Sequence, residues 1–208
     1  MRAGVDSARA RVDVGRASRG AGFARPITAL DPMSLASPFS LRFATPDDVP
    51  VILALIRGLA EYERLAHEVV ATEALLRETL FSARPVAEVI LAFSDEEAAG
   101  FALFFHNYST FLARPGVYLE DLFVFPKFRG RGLGRVLLSR LARIAVDRGC
   151  GRLEWSVLDW NVDAIRFYRS VGAEPMSDWT VNRVTGDALH ALAGSAGSDV
   201  AGSRLRAT

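Results

Sequence analysis

The 208-residue sequence holds a single cysteine, Cys150, a single lysine, Lys127, and three histidines, His67, His106 and His190. One thiol closes no intrachain disulfide, and thiols and imidazoles this few and this scattered build no cysteine-based zinc module. Secreted disulfide scaffolds and structural zinc domains are therefore excluded, and no metal is expected. Neither sign of charge is in excess, since 25 basic residues face 24 acidic ones for a net charge of +1. The basic surplus with which nucleic-acid binders displace counterions is missing. Long hydrophobic runs are missing too: the longest, such as Phe101 to Phe105, are strand-sized and fall short of the roughly 18 to 20 residues of a membrane span. A cytoplasmic protein with no nucleic-acid or membrane partner is expected.

What is present is the composition of a globular domain, 50% hydrophobic and 24% charged, in a length that suits one core with tails. Residues 1–38 are rich in Ala, Arg, Gly and Ser and show no period, so they are expected to be disordered. Their arginines resemble a transit peptide, but Asp6, Asp13 and Asp31 are out of place in one, and Met33 stands just before the first patterned segment as an alternative start. The domain is placed at 39–193, with a second disordered tail at 194–208.

Within the domain the periodicity is regular. Leu41-Arg42-Phe43 reads as a short strand, and Thr45-Pro46-Asp47-Asp48 as a capping signal for a helix carrying Ile52, Leu55, Ile56, Leu59 and Tyr62 on one face. A second short helix starts at Thr72. Val86–Phe93 and Gly100–Tyr108 read as a hairpin, and Val117–Phe125 as a third strand of that group. The spacing then predicts a helix over Leu133–Asp147, a strand over Arg152–Trp160, a helix over Asp163–Val171 and a closing strand over Trp179–Thr185. The order β-α-α-β-β-β-α-β-α-β predicts an α/β protein with a mixed sheet.

The junction Val124-Phe125-Pro126-Lys127-Phe128-Arg129-Gly130-Arg131-Gly132-Leu133-Gly134-Arg135 ends a strand and opens a helix. A helix N-terminus offers unpaired N–H groups and the positive end of the dipole, and glycines admit phosphate oxygens close to the backbone. A Walker loop needs Gly-Lys-Ser/Thr, which is absent; a dinucleotide fingerprint counted from Gly130 meets Arg135 where its third glycine belongs. Two readings stay open: a plain glycine-rich turn, or the pattern Arg/Gln-x-x-Gly-x-Gly/Ala formed by Arg129, Gly132 and Gly134.

That last pattern is the pyrophosphate loop of the Gcn5-related N-acetyltransferases, and the surrounding blocks resemble the same family. Tyr118-Leu119-Glu120-Asp121-Leu122-Phe123-Val124, Val157-Leu158-Asp159-Trp160-Asn161, Ala164-Ile165-Arg166-Phe167-Tyr168 and Leu55 to Glu63 are similar to its diamine (spermidine/spermine) and thialysine acetyltransferase branch. The resemblance covers about residues 40 to 190. It implies a mostly antiparallel central sheet flanked by helices, a splayed pair of strands holding acetyl-CoA as cosubstrate, and a homodimer.

The resemblance also distributes roles. The diphosphate is assigned to the N–H groups of Gly130, Arg131, Gly132, Leu133, Gly134 and Arg135, with Arg129 leading the loop, and the pantetheine to Leu122, Phe123 and Val124. Asn161, an N-cap in its own right, also bonds the cofactor, beside Ala164. Tyr168 becomes the proton donor to the CoA sulfur; read alone it is a packing residue between Ile165 and Val171. Glu120 is selected to receive the substrate amine and to deprotonate it. Adjacent strand positions point to opposite faces, so Asp121 is expected to turn away and serve structure. Tyr62, Glu63, Glu154 and Trp155 match substrate-contacting positions, and Asp178 is the nearest counterpart of a later acidic residue.

The expected activity is acetyl transfer by direct attack of a small molecule's primary amine, from thialysine, a lysine analogue or a diamine, in a ternary complex. Cys150 has no neighbouring histidine in the sequence, which argues against a covalent acyl-cysteine. Another amine acceptor, or a non-catalytic acyl-CoA-binding module, remains as an alternative. Charge is partitioned accordingly: Lys127 to Arg152 holds eight basic residues and one acid, suited to CoA phosphates, while the rest of the domain is acidic, suited to a cationic amine.

Overall fold

The computed structural model describes residues 38–202; the expectations for residues 1–37 and 203–208 lie outside the described residues. Strand β1 (Phe39–Phe43) is followed by a single 3-10 turn, Pro46–Asp48, that starts α1 (Val49–Tyr62). The Asp48 carboxylate accepts hydrogen bonds from Thr45 N at 2.7 Å and Oγ1 at 2.9 Å, and from both terminal nitrogens of Arg42 at 2.6 and 2.7 Å. The Arg42 bonds, first among these, hold the Asp48 carboxyl well below the usual carboxylate range and fix the angle at which β1 hands over to α1. Helix α2 (Glu73–Phe81) is capped by Thr72, whose Oγ1 accepts from Leu75 N at 3.3 Å.

Strands β2 (Glu88–Ser94), β3 (Glu97–Ser109) and β4 (Arg114–Val124) extend β1 into an antiparallel meander, and β5 (Leu153–Trp155) joins β4 in parallel, giving the order β1-β2-β3-β4-β5. Helix α3 (Leu133–Asp147) supplies the crossover that a parallel pair needs. Its Leu137, Leu141 and Ile144 are buried against Phe104, Val117 and Leu119 on one face of the sheet. Helices α1 and α2 cover the other face, packing Ile52, Leu55, Leu76 and Leu80 on Val89, Leu91, Phe101 and Phe123. The sheet is thus buried on both sides, which explains the near-continuous apolar runs of β2 and β3.

Two sequence expectations are corrected here. The strand expected over Arg152–Trp160 ends at Trp155, and the chain beyond it is irregular up to α4 (Val162–Ser170). The closing strand expected over Trp179–Thr185 does not form: Trp179 is 73% and Val181 78% exposed, and the segment runs without regular structure into α5 (Gly186–Gly202). A strand needs an edge to pair with, and a three-residue β5 offers very little. Helix α5 runs on past residue 194.

The early end of β5 matters for function. Its last pair with β4 is Leu119↔Trp155, so β4 continues from Glu120 to Val124 with its outer edge open. This is the splayed strand pair.

Candidate active site

The gap between the free half of β4 and the segment after β5 is a cleft of about 740 Å³, walled by the end of α1, the start of α3 and the inner face of α4. Leu122, Phe123 and Val124 form its floor along the open edge of β4. On its outer side this part of β4 has no partner strand.

At one end lies the glycine loop. Gly130 (φ +72°) and Gly132 (φ +83°) adopt left-handed backbone, and a Cβ on either would meet nothing within 4 Å. Gly132 is the N-cap of α3, and the first bond of the helix runs from Val136 N to Gly132 O at 3.1 Å. The N–H groups of Leu133, Gly134 and Arg135 therefore have no intrahelical acceptor. With the loop open above them, and a Cβ on Gly134 due to meet only the Phe167 ring at 3.4 Å, these residues fit a diphosphate.

The flanking arginines are spread around the loop. Arg129 Nε donates to Val124 O at 2.8 Å, and its guanidinium lies 4.4 Å from the centre of the Tyr62 ring. Arg131 stacks over Phe39 at 4.9 Å, and Arg135 donates to Ser170 Oγ at 3.2 Å. Arg129 thus locks the loop to the end of β4, while Arg131 lies against the aromatic end of the core.

Helix α4 brings its own pair. Asn161 Oδ1 accepts from Ala164 N at 3.2 Å as the N-cap and also from Tyr62 Oη at 3.3 Å, tying α4 to the end of α1. One turn beyond Ala164, Tyr168 packs between Trp155 and Phe167, with ring centres 5.0 and 5.4 Å away. Burial, then Glu63 and Tyr62 across the cleft, push its hydroxyl up to about 12. Tyr168 therefore keeps its proton throughout the neutral range.

On β4 the structure departs from the expected alternation. In the β3–β4 register Leu103 faces Asp121 and Phe104 faces Leu119, so Glu120 is the extra residue of a β-bulge. The insertion shifts the facing of everything after it, and Asp121 turns to the α1 side of the sheet, with Leu103 and Phe123. Glu120 and Asp121 both line the cleft, together with Glu63 from α1, so the expectation that only one of the pair can do so is corrected. Burial, reinforced by the charges of Glu120 and Glu63, pushes the Asp121 carboxyl up to about 6, and burial raises Glu63 as well. A perturbed carboxyl in a cleft is a candidate functional position. Two adjacent acids were visible in the sequence; the bulge that aims them together was not.

Three candidates, Arg131, Asp178 and Glu154, are not brought to the cleft wall; the Arg131 guanidinium lies over Phe39. Asp178 lies in an exposed turn before the irregular segment. Glu154 is one step removed, its carboxylate 2.8 Å from Arg152 Nε and accepting from Asn107 Nδ2 at 2.7 Å. Tyr62, Glu63 and Trp155 do line the cleft, as does Ser156, which sequence reasoning did not single out. Among the described residues there is no cluster of three or more potential metal ligands.

An open-edged strand leading to a left-handed glycine loop, with Tyr168 and three carboxylates lining one cleft, is the arrangement of an α/β acyltransferase. The model of the acetyltransferase (GNAT) family matches residues 56–173, and the chain belongs to that family. It is 38% identical to L-ornithine N5-acetyltransferase NATA1 of Arabidopsis thaliana, over 73% of this chain and 86% of that one, and 38% identical to the thialysine N-epsilon-acetyltransferase of Bos taurus, over 74% and 96%. Among solved structures, an integron cassette protein of V. cholerae superposes with a TM-score of 0.64 at 27% identity, over 75% of this chain and 98% of that one. An aminoglycoside acetyltransferase from a soil metagenomic sample gives 0.60 at 18% identity, over 71% and 95%, which is agreement of fold. The chain is a GNAT-family N-acetyltransferase.

Proposed function

We propose that the protein transfers the acetyl group of acetyl-CoA to the primary amine of a small molecule, a diamine or a lysine-like amino acid, by direct attack while both substrates are bound. The observation that carries this reading is the bulge at Glu120, because it turns a second carboxylate, Asp121, into the cleft that Tyr168 also lines. A module that only bound acyl-CoA would need neither.

Acetyl-CoA, when bound, supplies an activated thioester carbonyl; the chain supplies placement and proton traffic. The N–H groups of Leu133, Gly134 and Arg135 hold the diphosphate at the dipole end of α3. The open edge of β4 holds the pantetheine as an added strand would be held and orients the carbonyl towards the amine. Glu63, Glu120 and Asp121 attract the substrate as an ammonium ion, and Asp121, largely ionised at neutral pH, takes the proton that the nitrogen loses as its new bond to carbon forms, directly or through Glu120 and water. Tyr168 donates to the sulfur as the carbon–sulfur bond breaks. A hydroxyl near 12 is a weaker acid than a thiol near 8.5, and complete transfer is uphill by about 5 kcal/mol. Its role is thus chiefly a hydrogen bond to developing negative charge in a dry pocket.

The test is a direct assay of thiol release from acetyl-CoA with a panel of amines, run on the full chain and on one starting at Met33. Saturable turnover with small primary amines is expected from both. Tight acetyl-CoA binding with no turnover on any amine would overturn the reading. Light scattering on the same preparations tests the homodimer.

A further inference from the structure

The cleft has a closed end. Its floor runs along β4 from Val124 back to Glu120, and the pairing of Leu119 with Trp155 then joins β4 to β5. At the other end Arg129, the first residue of the glycine loop, is bonded to Val124 O, so the arm of a bound acyl-CoA leaves its diphosphate beside Val124. From there to Leu119 the strand covers about 17 Å. The arm of coenzyme A between diphosphate and sulfur has about twelve bonds and spans about 14 Å when extended. The sulfur therefore arrives at the level of Glu120 and Leu119, and the acyl group at the closed end. The position of Tyr168 agrees with this, because its ring centre is 5.0 Å from that of Trp155. The two faces of this end differ. Asp121 lies on the α1 side, whereas Leu119, Trp155 and Tyr168 all pack into the core on the α3 side and all line the cleft.

We infer that Trp155 is the residue that sets the length of the acyl group, stopping the donor at acetyl, with Leu119 beside it as the back wall. The inference rests on the acetyl-transfer reading of this cleft. An amine attacks a thioester carbon perpendicular to the plane of its three substituents, so the reacting orbitals fix how the group must lie. The acids that receive the amine are on the α1 side, so that plane lies along the sheet. The sulfur is behind, towards the glycine loop, and the oxygen is on the open edge of β4. The third substituent, the acyl chain, then points ahead and towards β5. A methyl group stops short of the Leu119↔Trp155 pair. Each further carbon needs about 1.2 Å more. The paired backbones block the sheet plane and the incoming amine occupies the α1 side, which leaves the α3 side, where the indole of Trp155 stacks at a tilt on the Tyr168 ring. Trp155 thus belongs to the donor half of the site and not to the amine half.

The discriminating experiment compares acetyl-, propionyl- and butyryl-CoA by kcat/KM in the thiol-release assay on the full-length protein, with the fastest amine of the panel as acceptor. The wild type is expected to lose about tenfold or more at each added carbon. In Trp155→Leu the butyryl-to-acetyl ratio is expected to rise about tenfold or more, and in Trp155→Phe the propionyl-to-acetyl ratio about fivefold. Calorimetry with CoA itself, which has no acyl group, reports that each variant is folded; should Trp155→Leu not bind it, Trp155→Phe decides the question. A ratio that stays constant while all three rates fall together makes Trp155 a packing residue and overturns the proposal, as does a wild type that uses butyryl-CoA as well as acetyl-CoA. If no acyl-CoA releases thiol with any amine, the acetyl-transfer reading itself fails.

Discussion

Replacing Asp121 by Asn should make the protein more stable and a poorer catalyst. The Asp121 carboxyl is raised from an ordinary 3.8 to about 6, by burial first and then by the charges of Glu120 and Glu63, so the folded chain holds a proton that the unfolded chain has already released. Stability contributed by this group is present below about pH 4 and is lost as the pH rises through about 6. The gap corresponds to about 3 kcal/mol at neutral pH, an upper figure that relaxation and water entry reduce. An amide of the same shape carries no such cost. Urea unfolding of wild type and Asp121→Asn between pH 4 and pH 8 should show curves that nearly coincide at the acid end and diverge to about 2–3 kcal/mol in favour of the variant above pH 7. In the thiol-release assay the variant should lose about 100-fold or more in kcat, the usual scale for a lost general base. A variant that is less stable than wild type, or whose stability difference does not change with pH, would refute the argument that Asp121 is a strained acid held in the cleft for chemistry.

Three further outcomes follow from the geometry. Tyr168→Phe should lower kcat by about 100-fold or more while leaving acetyl-CoA affinity by calorimetry within a factor of about two, since only the group facing the sulfur is removed; unchanged turnover would remove Tyr168 from the chemistry. Gly132→Ala, at φ +83° with no steric neighbour, should cost about 1–2 kcal/mol through backbone strain alone and weaken acetyl-CoA binding by distorting the N-cap of α3, measurable by thermal unfolding with and without the ligand. Leu141→Ala, from a side chain with no exposed surface in the α3 interface, should cost about 2–5 kcal/mol in chemical denaturation and leave the acetyl-CoA dissociation constant of the remaining folded protein unchanged.

Legibility in the sequence followed the range of the interactions concerned. Helix α3 spans the expected Leu133–Asp147 because Leu137, Leu141 and Ile144 recur at helical spacing and Gly132 sets the turn before it. The hairpin of β2 and β3 was visible from two apolar runs around a short turn, though the turn is tighter than expected, with Asp95 in left-handed backbone. The end of the chain was misread for the same local reason: Trp179 to Thr185 alternates as a strand does, but alternation records only which residues would be buried if a partner edge existed, and here Trp179 and Val181 face solvent.

By itself, the sequence determined the chemistry available to this protein: a strand-to-helix junction with glycines where left-handed backbone is needed, a tyrosine about two turns into an amphipathic helix behind an asparagine cap, and a pair of acids in a β-strand. All of these depend on residues within a few positions of one another. The tertiary structure decided how that chemistry is aimed. The bulge that turns Asp121 into the cleft depends on the register between β3 and β4, and the pairing of Glu154 with Asn107 joins residues 47 positions apart. One extra residue in a strand reverses the facing of every residue after it, and a single chain's periodicity carries no record of where its neighbour in the sheet will place that residue.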